Sequence, residues 1–261
     1  MGIYRNLEAR FAKAGTPVIH LFGGPYVTLA GQRREVPEGS KRLLTMVALR
    51  RRRVERRHVA GILWPLGHDS RAAGNLRSAL WRLRGAGIDI LQTDKWSIGL
   101  SEGVAVDAQI VAEWADRLIE GTERDEDLAV SPAWIDGLDL LPGWYDDWVL
   151  IERERLRQRT LHALEALSHK LIKTGRFADA VDAAMLAVSA EPLRESAQLA
   201  LIRAHVAEGN LVEARRGCRA YRDLLRRELG VDPSAELQRF LVQPNQGRPS
   251  RSRPQIPEAV R

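Results

Sequence analysis

Arg71, Asn75, Arg77, Ser78, Arg82 and Arg84 fall within one short stretch of the chain, at spacings that a helix sorts onto its polar side. At about 100° per residue and with Leu76 as origin, Ala72, Ala73, Ala79, Leu80 and Leu83 cluster within about 60° of Leu76. Opposite them lie Arg71, Gly74, Asn75, Ser78, Trp81 and Arg82, with Arg77 and Arg84 on the flank. An apolar back with an Arg/Asn/Ser front suits the edges of DNA bases. Arginine pairs with guanine O6 and N7, asparagine with adenine N6 and N7, and flanking arginines neutralise phosphate. The same pattern also describes an ordinary solvated helix. Trp81 fits either contact with sugar and thymine methyl groups or packing on a neighbouring domain.

A second group of cations precedes this stretch. Residues 50–57 read Arg-Arg-Arg-Arg-Val-Glu-Arg-Arg, and Arg56 and Arg57 fall where a short helix over residues 56–63 should begin. A helix N-terminus flanked by arginines is a phosphate clamp. Such a run is also what a solvated turn looks like, so Arg56 and Arg57 are preferred over Arg51 and Arg52. Lys95 and Trp96 cap a hairpin whose tip could reach a minor groove or a backbone.

The elements that must position these groups are short. PVIHLFG and YVTLAG read as two strands joined at Gly23-Gly24-Pro25. Ser40 is the expected N-cap of a helix over residues 41–50. The helix over 56–63 stops before Trp64-Pro65, and a third runs from residue 69 or 70 to 84, ended by Gly85 and Gly87. IDILQT and WSIGL then form a hairpin around Asp94-Lys95. Strands, three helices and a hairpin outline a winged helix-turn-helix.

Beyond residue 106 the pattern is almost wholly helical. A helix over 107–120 leads to a charged connector, 121–131, and then to a Trp-rich stretch from Trp134 to Trp148 that enters a long charged helix. A repeat follows at a 34-residue offset: Gly175 meets Gly209, Leu167 meets Leu201, Phe177 meets Leu211, Ala180 meets Ala214 and Ala184 meets Cys218. Small residues at those places let paired helices cross closely, the tetratricopeptide pattern. Pro192 closes the first unit; Arg226 stands where the second would have its proline, so that helix should run on to Leu229. The expected organisation is an extension over 1–15, a DNA-binding domain over 16–106, a helical activator domain over 107–242 and a disordered tail over 243–261.

Charge follows the same division. The 261-residue chain carries a formal +6, but residues 16–106 carry +8 and residues 107–242 carry −7. A basic part joined to an acidic part implies different partners for each, and the basic part suits a polyanion. One cysteine, Cys218, excludes a disulfide framework and suits a reducing cytoplasm. No run is apolar enough to span a membrane, and residues 1–15 lack a signal-peptide core. Gly39-Ser40-Lys41 has no upstream glycine loop, and neither a zincin nor a nucleophile-elbow motif occurs. No enzyme, metal or cofactor is expected.

HLFGGPYVTLAG, KRLLTMVALR through ILW, and NLRSALWRLR resemble the first domain of the SARP family of antibiotic regulatory proteins, an OmpR-like winged helix. LLPGWYDDWVLIERERLRQ, the stretch containing the repeat, and ELGVDPSAELQRF resemble that family's bacterial transcriptional activator domain. The resemblance implies a mainly helical protein with small β elements, a cytoplasmic location, binding to double-stranded promoter DNA at direct repeats by head-to-tail protomers, and contact with RNA polymerase. It carries Asn75, Arg77, Ser78 and Arg82 towards bases, and Arg56, Arg57, Arg71 and Arg84 towards phosphate. Trp81 stands where the family has a small polar residue. Two other readings remain: a helical-repeat interaction scaffold with weak, non-specific DNA binding, and a sensor whose helical groove takes a ligand.

Overall fold

The computed structural model describes residues 15–50, 52–66, 68–129 and 139–242. The expected extension except Gly15, Arg51, the beginning of the Trp-rich stretch and the expected tail lie outside the described residues. Strands β1 (Val18–His20), β2 (Tyr26–Leu29) and β3 (Gln32–Glu35) form an antiparallel meander. β7 (Ala105–Val106) adds parallel to β1, with Val18 opposite Ala105 and Ile19 opposite Val106, for the order β3-β2-β1-β7. β3 was not anticipated. Its sequence, QRRE, is exposed at every position, so no alternation of apolar and polar residues marks it. It is a charged edge strand, a composition that discourages further pairing.

Helix α1 (Glu38–Leu49) buries Leu43, Leu44, Met46, Val47 and Ala48. It begins earlier than expected, with Pro37 at its boundary, and Ser40 is therefore not its cap. The Ser40 hydroxyl instead donates 2.8 Å to the carbonyl of Ala79, fastening α1 to α3 (Asp69–Gly85). Between them lie β4 (Val54–Glu55) and α2 (Arg56–Leu63). β5 (Leu91–Thr93) and β6 (Ser97–Leu100) form the wing, and β4 pairs with β6 to make a three-stranded sheet. Of the apolar back expected of the third helix, Ala72, Leu76, Ala79, Leu80 and Leu83 are buried, and Ala73 is half-buried.

Helix α4 (Asp107–Glu120) ends at Gly121, whose φ of 73° permits the left-handed turn that a side chain would strain. The charged connector after it is more ordered than its composition suggests. A 3₁₀ turn over Asp125–Leu128 places the nearly buried Asp127 carboxylate on Arg117, at 2.7 and 2.8 Å. That bidentate guanidinium, with the Arg124 N–H, lowers the Asp127 pKa. α5 (Asp147–Lys173), α6 (Phe177–Ala190), α7 (Glu195–Glu208), α8 (Leu211–Leu229) and α9 (Ala235–Val242) complete the chain. Ala180, Ala184, Ala214 and Cys218 are all buried at the α6 and α8 crossings, and α8 does extend to Leu229.

The two parts share one apolar core. Ile19, Leu21 and Val27 of the sheet, Leu43 and Leu44 of α1, and Leu76 and Leu83 of α3 belong to the same cluster as Leu140, Leu141, Val149 and Leu156. At the seam, Asp107 is 6% exposed. Its Oδ2 accepts from the N–H groups of Leu21 at 2.8 Å and Phe22 at 3.2 Å, which leave the sheet just past β1. Gln109 donates 2.7 Å to the Ala48 carbonyl at the end of α1, and the Leu141 N–H donates 3.0 Å to the Leu21 carbonyl. Arg153 of α5 donates to the carbonyls of Leu140, Leu141 and Trp144. Removing a buried acceptor leaves the desolvation of the N–H groups it satisfied uncompensated. Asp107→Ala is therefore expected to lower the unfolding free energy by about 3 kcal/mol, read by denaturant titration. A change below about 1 kcal/mol would mean the seam does not depend on this carboxylate.

Candidate nucleic-acid interface

α2, α3 and the wing surround an open groove of about 740 Å³ that Arg56, Arg57, Arg77 and Lys95 all border. The local chain course explains why they meet. β4 pairing with β6 places the start of α2 beside the wing, where the Arg56 N–H donates 2.8 Å to the Trp96 carbonyl. The Arg56 guanidinium also donates to the Asp94 carbonyl at 3.2 Å. Lys95 sits at the hairpin tip with its ammonium 4.8 Å from the centre of the Trp96 ring.

The α3 face divides into three sectors. In the middle, Arg71, Ser78 and Trp81 are exposed, and Trp81 is 74% accessible. Trp81 therefore packs on no neighbouring domain among the described residues. Towards the wing, Arg77 is exposed and Arg84 approaches Thr93 at 3.5 Å and Asp89 at 3.7 Å. Towards α1, Asn75 and Arg82 are half-buried. Arg71, Asn75, Arg77 and Ser78 have no side-chain hydrogen bond or ion pair among the described residues. Arg82 differs: it donates 3.1 Å to the Gly39 carbonyl. A Cβ on Gly39 would fall 2.9 Å from the Arg82 guanidinium, so the glycine makes room for that contact. Arg82 is held against α1, apart from Arg77 and the groove.

Two groups not singled out from the sequence organise the wing. Asp94 Oδ1 accepts from the N–H groups of Trp96 and Ser97, each at 2.7 Å, and Oδ2 accepts from the Ser97 hydroxyl and the Arg53 guanidinium, each at 2.8 Å. The Ser97 hydroxyl first, then those N–H groups, hold the Asp94 carboxyl well below the usual carboxylate range. Arg53 spans the sheet from β4, and a Cβ on Gly99 would fall 2.8 Å from its side chain. An Asp three residues before a Ser is a turn signal, but its link to Arg53 is non-local and invisible in the sequence.

Asp69, at the N-terminus of α3, forms a 2.8 Å ion pair with Arg57 on the solvent side of the groove. The hydrogen bond to Asp69 raises the Arg57 pKa. Both side chains are more than four-fifths exposed, so water and salt screen the pair and a phosphate can replace the carboxylate.

Among the described residues no group of three or more His, Cys, Asp and Glu could hold a metal ion, and no helix is long and apolar enough to cross a membrane. The Cys218 thiol is buried, which pushes its pKa up to about 11 and leaves it unreactive.

Residues 112–242 match the model of the bacterial transcriptional activator domain. The chain belongs to that family. Membership places it among transcriptional regulators and agrees with the SARP resemblance in the sequence. The fold is similar to that of Mycobacterium tuberculosis EmbR, solved in complex with a low affinity phosphopeptide, with a TM-score of 0.67 and 21% identity. The likeness covers 87% of this regulator and 64% of the EmbR chain, so this chain spans under two thirds of that protein's length. No curated protein sequence matches it. If the groove meets phosphate, Asp69→Asn frees Arg57 and removes a repelling charge. Affinity for specific and random duplexes alike should then rise by about three- to tenfold at low salt, read by fluorescence anisotropy. Unchanged or weaker binding would take Arg57 out of the phosphate contact.

Proposed function

We propose that the protein is a transcriptional activator that binds promoter DNA sequence-specifically, with residues 16–106 as the DNA-binding domain and residues 107–242 as the activator domain. The observation that carries this reading is the cationic groove: Arg56, Arg57, Arg77 and Lys95, brought from α2, α3 and the wing to one concavity. Asn75, Arg77 and Ser78 of α3 are the base readers, with Arg71 beside them towards phosphate; all four side chains hold no protein partner among the described residues. A side chain already bound within the protein must lose that bond before it reads a base, which favours these readers over Arg82. Arg56, Arg57 and Lys95 face phosphate, with Arg84 beside the wing. Trp81 offers a large apolar surface to sugars and thymine methyl groups, contacts that carry direct readout without hydrogen bonds.

The family resemblance supplies the rest of the proposal: direct-repeat sites occupied by head-to-tail protomers, and recruitment of RNA polymerase by the DNA-bound protein. Head-to-tail association joins two different patches, so it generates a row along DNA rather than a closed two-fold dimer.

Paired titrations test the assignment. Arg77→Ala should cost about 1–3 kcal/mol on a selected site and little on random duplex. Arg57→Ala should weaken both and reduce the slope of log affinity against log salt by about one. Equal losses on both duplexes for both variants would remove the division into reader and clamp. Binding indifferent to either change would favour the helical-repeat scaffold instead.

A further inference from the structure

A second concavity, of about 400 Å³, opens where the turn after α1 faces α4 and α5. Leu49, Ala108, Ala112, Leu140 and Leu156 give it an apolar lining. Four arginines, two carboxylates and an amide form the polar part: Arg50 and Arg52 from the turn, Gln109 and Asp116 from α4, and Glu152, Arg155 and Arg159 from α5. The carboxylates are already engaged. Glu152 takes Arg155 through two 3.0 Å contacts, and Asp116 is paired with Arg159. Arg50 and Arg52 have no acidic partner among the described residues. The Arg159 Nε is buried with no acceptor, a donor whose desolvation nothing offsets. Two positive charges without an acidic partner among the described residues thus border an apolar surface in a half-enclosed space.

We propose that this concavity binds an amphipathic organic anion: a small molecule with an apolar body and one or two acidic groups, carboxylate, sulfonate or phosphate. The apolar lining would take the body, and Arg50 and Arg52 the acidic group. Charge-assisted bonds of that kind are the strong ones, and arginine matches such groups with two parallel donors. The volume falls in the range of ligand sites, which favour junctions between parts of a chain and combine an apolar lining with a few polar groups. Nucleic acid is the poorer occupant, because a phosphate backbone has no apolar body to fill the interior.

The walls come from both sides of the Asp107 seam. A ligand here touches the end of α1 and the helices of the activator domain at once, so its binding free energy depends on how the two are set. By reciprocity, whatever it gains or loses when DNA binds it returns as a change in DNA affinity. That regulatory consequence rests on the proposed function; the binding site does not.

The test uses anilinonaphthalene sulfonate, a fluorescent amphipathic anion, with the full chain in moderate salt. It is titrated into wild type, the Arg50→Gln/Arg52→Gln double variant and Ala112→Phe, each checked for fold by circular dichroism, and repeated with duplex DNA present. The expected result is one saturable site per chain, weakened about tenfold in the double variant, blocked in a folded Ala112→Phe protein and retained with DNA bound. The double variant decides the matter even if Ala112→Phe fails to fold. Wild-type affinity in the double variant, or displacement of the probe that does not level off at saturating duplex as a linked change would, would overturn the proposal and place the probe in the α2–α3 groove or elsewhere. A probe that binds as expected to a protein without sequence-specific DNA binding would leave this site standing and sink the proposed function.

Discussion

A buried carboxylate lies at the centre of the seam between the two halves of this chain. Asp107 is the first residue of α4, where a negative charge is favoured by the exposed N–H groups of the helix end, and it receives the N–H groups of Leu21 and Phe22 just past β1. Those two donors have left the sheet and are out of reach of water, so an acceptor must be supplied from elsewhere in the chain. Supplying it from the helix that opens the activator domain places β7 against β1 and continues the winged-helix core into Leu140, Leu141 and Val149. The orientation of the α2–α3 groove relative to the helical repeats follows from that contact, from the Gln109 and Leu141 bonds around it and from the shared core.

The arginines of the basic half separate into two kinds. Arg53, Arg82 and Arg84 are engaged within the protein: by Asp94 and Ser97, by the Gly39 carbonyl, and by the wing beside Asp89. Arg71 and Arg77 have no such partner among the described residues, and Arg57 is held by an exposed carboxylate that a phosphate can replace. A basic composition by itself therefore overstates the cationic surface open to a partner. The wing depends on an acid, Asp94, whose bonds to two N–H groups and a hydroxyl shape the tip that presents Lys95.

Much of the architecture was legible because it rests on local signals. The apolar stripe of α3, the glycines that end helices, and the small residues at the 34-residue offset each follow from backbone geometry or close packing. What was hidden is either erased by exposure or non-local. β3 is a charged edge whose partner is only two residues away but whose exposure erases any pattern. Ser40 carries the side chain of a cap, yet its hydroxyl answers a carbonyl on α3, 39 residues on. Arg82 shares the polar side of α3 with Ser78, and only the position of α1 shows that it is drawn to Gly39. The Trp81 side chain, ambiguous between a neighbouring domain and solvent, is decided by where α4 and α5 lie, which no spacing in α3 encodes.

Sequence-specific reading by α3 is the central claim, and affinity selection of genomic DNA fragments followed by sequencing tests it most directly. Wild-type protein and an Arg71→Ala/Arg77→Ala variant, both verified as folded, would be compared at moderate salt. The account predicts one motif, repeated in direct orientation, in the wild-type pool and its loss with the variant. No enrichment over random fragments by the folded wild-type protein, or an identical motif from both proteins, would contradict it.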